Sequence, residues 1–171
     1  MQKLLIIMIA VVLVGCGVEQ PEGITPVKNF KVKKYMGRWY EVARLDHRFE
    51  RGLNSVTVDY SLNPTGGFTS KSSGYLAKQQ AWRAAEGLAS FVAGEKLGFL
   101  KISYMRPFYD PYVIFKLDED YEWAFVAGKD KSFLWLLSRE PDVDWDVRED
   151  FISEAKQLGF DTSQLIFIEH H

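Results

Sequence analysis

Catalysis would be sought first among histidine, cysteine and paired carboxylates, and this chain holds few of the right ones. Of three histidines, His47 alone stands inside the body, while His170 and His171 end the chain and read as a disordered end rather than a metal site. Asp46 precedes His47 and could assist acid–base chemistry, but neighbours on a strand point to opposite faces. His47 is therefore expected to be a surface histidine at a loop. No Gly-x-Ser-x-Gly elbow and no His-Glu-x-x-His occurs. The single cysteine, Cys16, excludes an internal disulfide and a multi-Cys zinc site. No catalytic residue, metal ligand or cofactor is assigned, and the chain is not read as an enzyme. Twelve Phe, eight Tyr and five Trp instead suit a β-rich interior or a ligand cavity. A formal charge of −2 gives no footprint for nucleic acid, and 171 residues suit one domain with a sizeable core.

Cys16 has its own context. Lys3 precedes an apolar run, Leu4 to Val14, too short to span a bilayer comfortably. Leu13-Val14-Gly15-Cys16 resembles a bacterial lipobox, with a small residue before the cysteine. The resemblance implies that residues 1–15 are a removed signal peptide and that Cys16 becomes a lipidated N-terminus. One acyl chain holds a protein only marginally, whereas several hold it stably. Gly17, where an Asp would favour the inner membrane, implies the outer membrane, with the body facing the periplasm. Residues 16–34, with Pro21, Gly23 and Pro26, read as a lipidated tether.

The body, residues 35–171, must position whatever binds. Val56, Val58, Tyr60 and Leu62 alternate with Ser55, Thr57, Asp59 and Ser61, the period of a half-buried strand. Similar runs at about 37–46, 53–62, 68–76, 81–92, 99–105, 112–117, 122–127 and 132–139 are separated by turn signals such as Asn63-Pro64-Thr65-Gly66-Gly67. Strand six is expected to start only after Pro107 and Pro111, because proline blocks a central strand. Eight antiparallel strands with short turns predict an all-β up-and-down barrel, with a sandwich as the alternative from patterning alone. Val143, Val147, Phe151, Ala155 and Leu158 then share one helical stripe, capped by Asp142 or Asp144 and ended by Gly159. This helix should pack outside the barrel, and 164–168 should form a short final strand beside the first.

Alternating turns place Gly37, Trp39, Asp118, Tyr121 and Arg139 at one end of such a barrel. These residues resemble the three motifs of lipocalins: Gly-x-Trp, an Asp/Tyr turn (with Leu117 where the fuller form has Thr) and a lone Arg over the Trp. From about Phe30 to Ile168 the chain is similar to bacterial lipocalins of the outer-membrane lipoprotein type, most of all at 39–53 and 134–139. The resemblance implies a calyx closed at that end, where Arg139 covers Trp39 by cation–π attraction.

Ligand chemistry is then expected at the opposite end. If Arg139 and Trp39 point inward, alternation places Leu137, Trp135 and Phe133 in the cavity, and Ala43 and Leu45 share Trp39's face. An inward Glu41 would need a partner or a bulge. Tyr112 is a further candidate. Arg48 and Tyr109 belong to mouth loops that mix cations and aromatics: His47, Phe49, Glu50, Arg51, Lys78, Arg106, Phe108, Lys129 and Lys131. An apolar shaft below a cationic mouth suits an amphiphile with one chain. The resemblance implies a fatty acid or lysophospholipid, stored or carried in the envelope. The alternatives are an enzyme on the same barrel and an interaction protein with a filled cavity. The oligomeric state, monomer or homodimer, is left open.

Overall fold

The computed structural model describes residues 17–64 and 66–170. The expected signal peptide and the Cys16 lipid anchor lie outside them. The strands are β1 (Gly37–Leu45), β2 (Leu53–Leu62), β3 (Phe68–Leu76), β4 (Ala81–Phe91), β5 (Phe99–Met105), β6 (Phe108–Leu117), β7 (Trp123–Ala127), β8 (Leu134–Ser138) and β9 (Leu165–Phe167). Each pairs antiparallel with its successor from β1 to β8, and β1 also pairs with β8, which closes the barrel. Closure removes the exposed edges that an open sheet would present.

β6 starts earlier than expected and runs through Pro111, which faces Lys101 of β5. Pairing with β7 begins only at Val113. Pro111 therefore stands where one side of the strand has no ladder to lose.

One irregularity in β1 divides the core in two. Glu41 faces Leu137 of β8, yet the next pair is Ala43 with Leu136, so Val42 is an extra residue. A bulge of this kind reverses the alternation beyond it. Trp39 joins the interior cluster with Tyr60, Phe68, Leu100, Ile114, Val126 and Leu137. Val42, Ala43 and Leu45 join an outer cluster with Phe125, Leu134, Leu136, Phe151 and Ala155. Phe151 and Ala155 belong to α2 (Trp145–Gln157), which packs its apolar stripe on the outside of the barrel as expected. Asp144 is its N-cap by position without a side-chain bond. At the far end, Phe160 N–H returns to Ala155 O at 3.0 Å. β9 pairs with β1 at Ala43–Leu45, above the four pairs that β1 makes with β2 from Gly37 to Tyr40. His170 is ordered against this strand, with Nε2 2.9 Å from Glu41 O and its ring edge-on to Tyr40, so it is not part of a disordered end, while His171 lies outside the described residues.

The floor is built as the motifs implied. Trp39 is fully buried and its Nε1–H donates to Tyr35 O at 2.8 Å. The Arg139 guanidinium lies 3.9 Å from the Trp39 ring centroid. It donates to Arg38 O at 2.7 Å, Lys34 O at 2.8 Å, Met36 O at 2.9 Å and Tyr121 O at 3.3 Å. Gly37 has φ +98°, and a Cβ there would sit 3.3 Å from Arg139 Nη1, so the motif glycine serves both backbone and arginine. Asp118 shapes its turn by accepting the Asp120 N–H at 2.9 Å and the Glu122 N–H at 3.3 Å. Tyr121 accepts the Lys31 N–H through its hydroxyl at 2.9 Å.

The segment expected as a tether is a strap laid along the barrel. Gly17, Val18 and Glu19 lie beside Lys101, Phe108, Tyr109 and Lys129 at the open end. Lys131 donates to Glu22 O at 3.0 Å, and Ile24 is fully buried. Val27 N–H donates to Ile114 O and Gly98 N–H to Val27 O, both at 2.9 Å. A Cβ at Gly98 would stand 2.8 Å from Val27 Cγ2 and 2.9 Å from Ile114 O, so this close approach requires glycine. Phe30 then turns beneath the floor against Tyr35, and the short helix α1 (Val32–Tyr35) leads into β1.

Candidate ligand-binding site

Above the floor the interior has two levels. The lower one is filled. Tyr35 and Tyr60 rings stack with centroids 5.3 Å apart, and Phe68 stands 4.7 Å from Tyr60. The Tyr112 hydroxyl is 2.7 Å from those of both Tyr35 and Tyr60. Burial pushes all three phenols above their usual range. Tyr112, expected on a ligand, is instead part of this plug, and its hydroxyl is committed to two neighbours.

The upper level has one wall of small residues. Tyr60, Val58 and their partners Ser70 and Ser72 alternate inward, and Ser70 and Ser72 face Gly87 and Ala85 in turn. Tyr104 reaches across this wall. Its Oη is 3.3 Å from the buried Ser70 Oγ, and its ring would touch a Cβ at Gly87 at 3.0 Å. Despite pointing inward, Tyr104 is 53% exposed. An inward side chain that still meets solvent lines an open lumen.

The opposite wall carries charge. Because of the Val42 bulge, Glu41 and Arg44 both belong to the inner side, and Arg44 Nη1 donates to Glu41 Oε1 at 2.5 Å. Arg44 Nη2 also donates to Glu50 O at 2.7 Å and Leu53 O at 3.1 Å, which ties the first mouth loop to the strand. Trp135 Nε1–H donates to Glu50 Oε2 at 3.0 Å. His47 Nε2 lies 2.8 Å from the same oxygen, out of line for a full hydrogen bond. Arg44 Nε and His47 Nδ1 are buried without a hydrogen-bond partner among the described residues. Burial and then the nearby Glu50 push the Glu41 carboxyl well above the usual carboxylate range, against the pull of Arg44. Burial acts on Glu50 too, but His47, Trp135 and Arg44 hold it below its ordinary value.

Apart from Tyr112, the sequence-predicted ligand residues fall into four places. Trp135 and Phe133 come together at the mouth with His47 between them, the His47 ring being 5.3 Å and 5.2 Å from theirs. Arg48 is exposed at the rim over the Phe49 ring, at 4.6 Å. Ala43 and Leu45 lie under α2, because the bulge turns them away from the lumen. Tyr109 is on the outer face beside Lys101, whose Nζ is 5.0 Å from its ring, and borders the strap. His47 is only 7% exposed and is not a surface histidine. Asp46 turns away to Arg51 at 2.7 Å, so the two form no dyad. Sequence reading missed Arg44, Tyr104 and the small wall of Ser70, Ser72 and Gly87. The charge at Glu41 and again three residues on, in an otherwise apolar strand, was the available signal for Arg44.

A calyx closed at one end by a tryptophan under an arginine and open at the other matches known proteins. The lipocalin-like domain family matches residues 30–170. The chain belongs to the lipocalin family. The outer membrane lipoprotein Blc of Vibrio cholerae is 45% identical over 170 residues, covering 99% of each chain. Its namesake in Escherichia coli strain K12 is 42% identical over 149 residues, covering 87% of this lipocalin and 84% of that protein. Among solved structures, insecticyanin from the tobacco hornworm Manduca sexta superposes with a TM-score of 0.71 at 15% identity, over 90% of this chain and 88% of that one. That likeness speaks for the fold alone.

Proposed function

We propose that this lipocalin stores or carries a fatty acid or lysophospholipid in the bacterial envelope, held to the outer membrane by lipid on Cys16, and that it acts as a binding protein rather than an enzyme. The observation that supports this most is Tyr104, inward yet half exposed above a filled floor. It marks a lumen that opens at one end only. Burying each CH₂ of a chain there contributes about 0.8 kcal/mol relative to water. A bilayer offers the chain much the same gain. Selection over the bilayer must therefore come from shape and from polar contacts, and Arg44 Nε and His47 Nδ1 are polar atoms near the mouth without a partner among the described residues. The relatives' designation as outer membrane lipoproteins agrees with the lipobox at Cys16.

Native mass spectrometry of residues 17–171 with lysophospholipids and fatty acids tests the reading and reports the oligomeric state. One bound amphiphile per chain is expected. Trp135→Ala should weaken binding while folding persists, whereas Trp39→Ala should destabilise by roughly 3–5 kcal/mol, as for a core tryptophan. A chain that binds none of these amphiphiles refutes the reading. Lysophospholipid hydrolysis abolished by His47→Ala would show an enzyme instead.

A further inference from the structure

The strap begins at the open end of the barrel. Gly17, Val18 and Glu19 border Phe108, Tyr109 and Lys129 at the open end. Gly17 is the residue that follows Cys16 in the sequence. From there the strap is held by Lys131 on Glu22, by buried Ile24 and by the Val27 bonds to the wall. A free tether would let the barrel adopt any attitude on its anchor. A strap does not.

The rim has the matching chemistry. Phe49, Trp82, Met105 and Phe108 are 64%, 61%, 70% and 69% exposed. Phe49 lies in the β1–β2 connection, Trp82 and Phe108 at the starts of β4 and β6, and Met105 at the end of β5, all at the same end of the barrel. Arg48, Lys78, Arg106 and Lys129 are exposed among them, and none is paired with a carboxylate among the described residues. Apolar side chains ringed by unpaired cations suit the headgroup boundary of a bilayer with anionic lipid. A protein partner would not explain why the strap starts beside this rim.

We infer that the open end of the calyx docks on the membrane, with the rim side chains of Phe49, Trp82, Met105 and Phe108 in the headgroup region and the floor turned toward the periplasm. This rests on the lipid-anchor reading of Cys16 given above. The mouth would then exchange amphiphiles with the leaflet that holds the anchor, without carrying them through water.

The test uses the mature, lipidated chain in vesicles of phosphatidylethanolamine and phosphatidylglycerol, with lipid on Cys16 checked by mass. Lipidation consumes the only native thiol, so one introduced cysteine is unique. An environment-sensitive dye is placed at Lys78→Cys on the rim or at Glu95→Cys on the floor side. Nitroxide on the lipid headgroup should quench the rim dye several-fold more than the floor dye. Trp82→Ser with Met105→Ser should abolish most of that difference while lysophospholipid binding persists. Equal quenching at both positions, or none at the rim of an anchored chain, overturns the orientation. So does rim-dye self-quenching that grows with protein density and ignores lipid nitroxide, which would assign the rim to a second copy. Amphiphile binding is measured on the same sample. Its loss with rim quenching intact would sink the carrier function and leave the orientation standing.

Discussion

Arg139→Ala tests the floor. The guanidinium donates to the carbonyls of Lys34, Met36, Arg38 and Tyr121 and lies 3.9 Å from the Trp39 ring centroid. A hydrogen bond to a charged group contributes about 1.5–3 kcal/mol when its partners are otherwise unsatisfied. Here the side chain is at the rim of the floor, and burial already disfavours its charge, holding its pKa below the usual arginine range. Water can reach the carbonyls once the side chain is gone, so the four bonds together are worth far less than four full values. The ring contact contributes about 0.5–2 kcal/mol. A net loss of about 3 kcal/mol follows, or roughly 6–12 °C in Tm for a chain of this length. Lysine keeps the charge over the ring but cannot fork to carbonyls on both sides. Arg139→Lys should recover about half of the loss, on the scale of 1–2 kcal/mol. Urea unfolding read by tryptophan fluorescence and by circular dichroism measures both variants. An alanine variant within about 1 kcal/mol of wild type would show that the carbonyls need no partner, and full recovery by lysine that charge alone suffices.

Other expectations concern the interior and the strap. Glu41 keeps its proton in the folded chain at pH values where the unfolded chain releases it, so its contribution is complete below about pH 4.3 and falls as pH rises toward the raised folded value. Glu41→Gln mimics the protonated form. Its urea midpoint should match wild type near pH 5 and exceed it near pH 8, and the reverse order would mean an ionised Glu41 in a pair with Arg44. Tyr112→Phe removes the hydroxyl shared by Tyr35 and Tyr60 and should destabilise by about 1–2 kcal/mol with amphiphile affinity unchanged. A tenfold loss of affinity would return Tyr112 to the ligand site. Gly98→Ala should force Val27 off the wall, seen as new protease cleavage between residues 17 and 31 with the barrel intact. Unchanged cleavage would mean that the strap does not depend on this contact.

The barrel was legible because each strand announces itself locally, by alternation such as Val56 to Leu62 and by turns such as Asn63 to Gly67. The floor was legible because alternating turns fix which ends meet. Side-chain direction beyond an irregularity was not. One extra residue at Val42 carried Ala43 and Leu45 from the expected cavity to the outer core, and the only hint was an inward Glu41 that needed a partner. The surroundings of Tyr112 were not legible because an inward tyrosine looks the same whether its hydroxyl meets a ligand or two other phenols. Residues 17–34 looked like a tether because strap contacts are long-range, between Val27 and Ile114 or Lys131 and Glu22, and leave no periodicity behind. α1 spans four residues, shorter than any pattern could register.

The tyrosine plug makes the calyx a vessel with a single door. If this lipocalin carries an amphiphile as proposed, a cargo that enters tail first would leave head first by the same path, past the same His47, Trp135 and Glu50. Loading and unloading cannot be divided between two openings, so a direction of delivery has to come from a difference between two encounters in time. The protein itself has no upstream and downstream side. Whatever makes a cargo leave must act at the threshold where it came in, and Arg44 joins that threshold to β1 through its bonds to Glu50 and Leu53.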